Sequence, residues 1–269
     1  MFPGATADRS TASYVIVGAP LDVSTSFRPG TRFGPDRVRR FARSFEDYDP
    51  ETDRSFSALS VADAGDVHAW TDAAEYVDYL AGECRNVVGD GAVPIVLGGE
   101  HTVSVAGVRA VDPDVFVVLD AHLDLRTEYD GDPWSHATVT RRALDVADEA
   151  VILGARSGSA AEWERAGRAD VTVVEPEAVA DWAPPADFAG RDVYLSVDVD
   201  AADPAYAPGT GTPEPIGLTS RELRDVVRAV APHALGVDVA EVNDRDDGQA
   251  ATLAAKLLRA FVFAHAASD

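Results

Sequence analysis

Lysine is almost missing from this chain: Lys256 is the only one among 23 basic residues, which face 46 acidic ones. The formal net charge is −23 and the sequence pI about 4.4. Nucleic acid and anionic membrane both demand a basic face, so this balance excludes them as partners. The acidic residues are scattered through every segment instead of collected in a tail, and dispersed carboxylates with almost no lysine are the pattern of a protein working in concentrated salt, where self-repulsion is screened. A halophilic source is therefore expected, the alternative being an acidic protein from a GC-rich mesophile.

Cys84 is the single cysteine, which excludes an intramolecular disulfide and a thiolate metal cluster. It falls in a helical pattern and reads as a small packing residue. No apolar run approaches the roughly 18 residues of a membrane span, and the opening MFPGATADRSTAS lacks the apolar core of a secretory signal. A soluble, cytoplasmic protein is expected. There is no linker, repeat or low-complexity tract, so residues 1–269 are read as one domain, a size ordinary for a single α/β core.

What is present centres on VFVVLDAHLD, Val115 to Asp124. Five unbroken apolar residues read as a strand covered on both faces. Asp120, His122 and Asp124 then follow at every second position, which in extended backbone puts all three side chains on one side. A lone Asp-x-His is more often structural, so the reading depends on matching segments. VYLSVDVDAAD (193–203) ends with Asp198 and Asp200 at the same spacing, and PIVLGGEH (94–101) runs through Gly98 and Gly99 to Glu100 and His101. Glycines there allow a sharp turn and close backbone approach. All three segments put their polar residues at the carboxyl end of a strand, where ligands gather in open α/β sheets.

Strand-like runs at 13–18, 93–97, 115–119, 150–154, 170–174, 192–198 and 235–240 alternate with helical patterns near 35–46, 72–89, 102–110, 137–147, 159–168, 219–230 and 249–265. This alternation implies an α/β fold with a mostly parallel central sheet covered by helices on both sides. Thr219 with Glu222 three residues on is a capping-box pattern. Two histidines and four aspartates are too many ligands for one ordinary zinc site, but suit two divalent ions sharing bridging carboxylates. Carboxylate-rich, thiolate-free coordination favours manganese over zinc or copper.

GGEH at 98–101, DAHLD at 120–124, SHATVTRR at 135–142 and SVDVDAADPAYAPGTGTPEP at 196–215 resemble, in order, the successive signatures of the ureohydrolases, the arginases and agmatinases. FRPGTRFGPDRVR at 27–39 and Glu241-Val242-Asn243 resemble further family segments, while Asp244 stands where many relatives have proline. The resemblance implies a three-layer α/β/α arginase-like fold, assembly as homo-trimers or hexamers, and hydrolysis of a linear guanidino C–N bond with release of urea. It assigns His101, Asp120, Asp124 and Asp198 to one manganese ion, and His122, Asp120, Asp198 and Asp200 to a second. It also implies that Glu241 pairs with the substrate guanidinium, a planar fork suited to bidentate contact.

His136 is read as the proton shuttle to the leaving amine, because an unperturbed imidazole titrates near working pH. Its other possible role is capping the helix that starts near Ala137. SHATVTRR is more similar to archaeal agmatinases than to arginases, so agmatine, a substrate of polyamine metabolism, is the expected substrate. Arginase, guanidinobutyrase and formimidoylglutamase activities stay open, the acid-tailed ones because Arg126 could meet a carboxylate. A single-zinc, deacetylase-like amidohydrolase is the more distant alternative. Glu128, Asp130 and Asp132 are discounted as an ammonium trap, since a chain this acidic places carboxylates in any such stretch by chance. Asp203 reads as a turn former, Glu100 as a support beside His101, and His68, His233 and His265 as structural or exposed.

Overall fold

The computed structural model describes residues 1–68 and 70–268. Among these residues are ten strands: β1 (Tyr14–Ala19), β2 (Tyr48–Asp49), β3 (Arg54–Ser55), β4 (Val61–Asp66), β5 (Val93–Gly98), β6 (Val115–Leu119), β7 (Glu149–Leu153), β8 (Val171–Val174), β9 (Val193–Asp198) and β10 (Ala234–Ala240). Eight of them form one sheet in the order β4-β1-β5-β10-β9-β6-β7-β8. Every pairing in it is parallel, and β2 and β3 form a small antiparallel hairpin apart from it.

The eight α-helices among the described residues are α1 (Gly34–Phe41), α2 (Ala73–Gly89), α3 (Ser104–Val111), α4 (Val139–Ala143), α5 (Ala160–Ala166), α6 (Pro176–Val179), α7 (Ser220–Val230) and α8 (Gln249–Ser268). Alternation along the strands decides which layer each residue serves. Val115, Val117 and Leu119 of β6 pack into one core with Val38 of α1, Leu223 of α7 and Phe261 of α8. Phe116 and Val118 join a second core with Tyr76 of α2 and Val105 of α3. A parallel sheet buried on both faces explains the continuous apolar runs, and the architecture is the expected three-layer α/β/α.

The capping box at Thr219 is formed, and an equivalent box at Ser159 and Glu162 starts α5. Cys84 is fully buried, and burial, followed by the charge of Asp238, pushes its thiol up to about 12. The 20-residue α8 is long and apolar enough by composition to cross a membrane, but 67% of its most apolar window is buried within the fold. It is a core helix here.

The hairpin β2–β3, strand β4 and the short α6 lie outside the expected runs, and one expected helix is shorter. β4 was not foreseen: VADAGD has low strand propensity, and it forms an edge strand because Asp63 and Asp66 are met by Arg39 from α1. The helix expected over 137–147 is shorter, a 3-10 turn at His136–Thr138 followed by α4.

Candidate active site

The four central strands β5, β10, β9 and β6 lie side by side and in register. Leu97, Val239, Val197 and Leu119 are aligned across them. The chain therefore leaves the sheet at one level four times, and each exit delivers polar side chains to one crevice. β5 delivers Glu100 and His101, β10 delivers Glu241, β9 delivers Asp198 and Asp200, and β6 delivers Asp120, His122 and Asp124. All are buried except His122, which is partly exposed.

Local backbone explains the aim of each group. A Cβ on Gly99 would stand 2.0 Å from the Leu21 carbonyl oxygen, so only glycine lets the end of β5 turn against the segment after β1. The Asp-x-His and Asp-x-Asp spacings close small turns: the His122 amide donates to Asp120 Oδ1 at 2.7 Å, and the Asp200 amide donates to Asp198 Oδ1 at 2.8 Å. Each turn uses one carboxylate oxygen and leaves the other facing the crevice. Asp124 (φ 50°) and Glu241 (φ 62°) have left-handed backbone. Non-glycine residues held there carry strain of about 1–3 kcal/mol, a cost that clusters at functional sites.

The crevice holds two histidine–aspartate groups. His101 Nδ1 lies 3.2 Å from Asp120 Oδ2, 3.1 Å from Asp124 Oδ2 and 3.4 Å from Asp198 Oδ2. His122 Nδ1 lies 3.5 Å from Asp120 Oδ1 and 3.1 Å from Asp200 Oδ2. Asp120 thus belongs to both groups, one oxygen to each. Asp198 reaches His101 directly and is tied to the second group through the Asp200 amide.

So many carboxylates in one dry place disturb each other. Burial, then the charges of Asp200 and Asp120, hold the Asp198 carboxyl well above the usual range. Burial and then Asp120 push Asp124 up to about 7. Burial opposes the charged form of His101 but is outweighed by Asp120 and Asp124, so that its pKa rises; His122 rises likewise through Asp200 and Asp120. Asp120 Oδ2 is buried without a hydrogen-bond donor. Imidazole nitrogens and unsatisfied carboxylate oxygens converging at such distances are the donor set of divalent cations, and the residues fit two of them.

Supporting contacts are extensive, and some of the residues making them, Ser24 and Ser104 among them, carry no sequence signal. His101 Nε2 is 3.0 Å from Ser196 Oγ, which donates to Asp238 Oδ1 at 2.9 Å, as does Ser104 Oγ. Such a relay fixes the ring and its tautomer. Asp238, a lone carboxylate inside the apolar run ALGVDVA, could have been noticed. Glu100 accepts from the Ser24 amide and hydroxyl, both at 2.7 Å, in the supporting place expected for it. Thr212 Oγ1 donates to Asp200 Oδ2 at 3.1 Å.

His136 is buried at the cavity edge. Its Nε2 is 3.2 Å from the donating Ser26 amide and 2.9 Å from Ser26 Oγ, and its Nδ1 is 3.8 Å from Glu241 Oε1. An Nε2 that accepts from an amide leaves the ring proton on Nδ1, facing Glu241. Burial, then His122, pushes its pKa down to about 4. Burial thus moves this ring below the near-neutral titration of an unperturbed imidazole. Glu241 Oε1 accepts from the His101 amide at 2.9 Å, whereas Oε2 is buried without a partner; burial raises the carboxyl to about 8.

A cavity of about 330 Å³ opens over His122, Asp124, His136 and Asp198, with Ser26, Arg126, Tyr129, Glu162 and Thr212 on its walls. Glu128, Asp130 and Asp132 are not among its walls. Arg126 is, but its Nε lies 3.2 Å from Glu162 Oε2, so its charge is met within the fold. Asp203 is a turn former, its carboxylate accepting from the amides of Ala205, Ile216 and Gly217. His265 is within 2.9 Å of the Tyr14 hydroxyl and is not among the residues lining the cavity.

Comparison with known proteins agrees with this geometry. The sequence is 37% identical over 263 residues to an agmatinase of Bacillus anthracis, covering 91% of this chain and 89% of that one. It is 35% identical to a guanidinobutyrase of Pseudomonas aeruginosa, covering 90% and 83%. The crystal structure of agmatine ureohydrolase of Thermoplasma volcanium superposes with a TM-score of 0.94 at 35% identity, covering 99% of this chain and 94% of that one. The arginase-family sequence model matches residues 12–264, and with these findings the chain belongs to the arginase family of hydrolases.

Proposed function

We propose that this ureohydrolase cleaves agmatine to putrescine and urea, using two manganese ions per chain. The observation that carries the reading is the pair of histidine–aspartate groups sharing Asp120 beside a cavity in which the lining cation Arg126 is paired with Glu162. His101, Asp120, Asp124 and Asp198 would hold one ion, and His122, Asp120, Asp198 and Asp200 the other. Two divalent ions in such a site supply a water activated toward hydroxide at neutral pH, without a strong base.

The remaining steps belong to the chain's own residues. Glu241 offers its unpartnered Oε2 to the guanidinium, and the arriving cation keeps that carboxyl ionised. His136 would take up the proton that the attacking water gives up and hand it to the leaving amine, which is expelled only once protonated, so that the ring ends each turnover neutral. Pairing of Arg126 with Glu162 removes the positive wall that would repel an ammonium tail and attract a carboxylate. Support for a cytoplasmic, oligomeric, salt-adapted enzyme comes from the acidic, lysine-poor composition and from the family.

The test is kcat/KM for agmatine, arginine and 4-guanidinobutyrate with added manganese at high salt. Agmatine should lead by at least an order of magnitude, since a misplaced tail charge in a desolvated pocket costs more than about 1.4 kcal/mol. A preference for either carboxylate-bearing compound overturns the agmatine assignment.

A further inference from the structure

Arg156 makes contacts that no step of the chemistry uses. It follows β7 in the turn beside the active site and is only partly exposed. Its guanidinium donates only to main-chain carbonyls: Nη1 to Gly154 and Ala201 at 2.9 and 3.2 Å, Nη2 to Asp200, Ala202 and Glu214 at 3.0, 3.3 and 2.7 Å, and Nε to Pro215 at 3.1 Å. Among the described residues no carboxylate lies within ion-pair distance of it. Its own backbone grips a third segment: the amides of Arg156 and Ser157 donate to the Ala121 carbonyl at 2.9 and 3.0 Å, and the Leu123 amide donates to the Ser157 carbonyl at 3.2 Å.

One residue therefore joins the turn carrying Asp120 and His122, the turn carrying Asp200, and the far end of loop 203–217. That loop is closed at its neck by the pairing of Ala202 with Leu218. It is clasped from inside by the Asp203 carboxylate and from outside by Arg156. Space at the clasp is tight, because a Cβ on Gly217 would stand 2.5 Å from Arg156 Nη2. Ile216, β-branched and 75% exposed, is held there at φ 63°. Such a conformation persists only when its surroundings over-determine it. The same loop brings Thr212 to Asp200 and places Gly211 beside Glu241 Oε2, at 3.0 Å from the position of a Cβ.

We propose that Arg156 is the positioning residue of this active site, a main-chain clamp that holds loop 203–217 as a preformed pocket wall and keeps the Asp200 turn in register with the Asp120–His122 turn. The planar fork is what the task requires. Five N–H groups on a rigid frame reach carbonyls on separate segments at once, whereas a lysine ammonium is a point with three donors and cannot span them. The role is distinct from core packing, since what Arg156 holds is the main chain beside the site's ligating and pocket residues.

The test compares wild type, Arg156→Ala and Arg156→Lys by manganese titration calorimetry, amide hydrogen exchange and agmatine kinetics. Both variants should weaken manganese binding and kcat/KM by about 10–100-fold, the usual cost of losing an outer support of a metal site. KM should rise by more than kcat falls, because the pocket wall is loosened. Exchange should quicken at 203–217 and 121–123, and not in β1 or α8. Unchanged manganese affinity and KM in Arg156→Ala would overturn the proposal. So would loss of the whole fold in both variants, which would assign Arg156 to the core. The kinetic arm rests on the agmatine reading; if wild type does not turn over agmatine, that reading fails while the manganese and exchange arms still decide the role of Arg156.

Discussion

Replacing His136 with asparagine tests the proton-transfer assignment and the unusual state of this ring together. General acid–base groups contribute roughly 10²–10⁴-fold, so urea release from agmatine by His136→Asn should fall by that factor, about 3–5 kcal/mol in barrier height. Manganese should still bind, because His136 Nε2 is taken up by Ser26 and belongs to neither histidine–aspartate group. The stability effect has a definite sign. Burial and His122 lower the folded-state pKa to about 4 from the ordinary 6.5, so the unfolded chain takes up the proton first. The stabilisation is complete above pH 6.5 and is lost as pH falls toward 4. At 1.36 kcal/mol per pH unit over that interval, the loss approaches about 3 kcal/mol. Denaturant unfolding of wild type and variant at pH 7.5 and 4.5 reads this difference, with the wild type losing more. An unchanged kcat at neutral pH would return His136 to a helix-start role, and equal losses with pH would refute the buried neutral imidazole.

Other outcomes follow from the same structure. Asp198→Ala should abolish turnover and lower the manganese content at both sites; metal analysis showing two ions still held would refute sharing through Asp198. Arg39→Met should cost roughly 3–5 kcal/mol, because it leaves the Asp63 side chain, 1% exposed, without the bidentate partner now at 2.8 Å on both oxygens. For Asp63, burial is outweighed by Arg39 and its pKa is lowered, so this contribution is present above pH about 3.9 and lost as pH falls through the lowered value; acid unfolding curves check it. Gly107→Ala should destabilise by about 1–3 kcal/mol or more, since the new methyl would stand 1.9 Å from the Tyr194 hydroxyl unless the helix or ring moves. Transfer from 1 M to 0.01 M salt lengthens the screening distance from about 3 to about 30 Å, so the melting temperature should drop; constancy would refute the salt-adapted reading.

The sequence by itself determined the layers and the ligand turns, because both depend on short periods. Uninterrupted apolar runs such as Val115 to Leu119 identify buried parallel strands, and Asp-x-His and Asp-x-Asp mark the ligand turns at their ends, although the side chains converge through those turns and not through extended backbone. Edge strand β4 was illegible, since VADAGD is a strand only through pairing with β1 and charge pairing with Arg39 on another element. The environment of His136 was equally so: an isolated imidazole titrates near neutrality, and only burial beside His122, with Ser26 accounting for one nitrogen, lowers its pKa. Tertiary structure alone also assembled Ser26, Thr212, Ser196, Asp238 and Arg156 around the site. These residues act through one hydrogen bond or one clamp to partners many residues away, and contacts of that range leave no periodic trace in a single sequence.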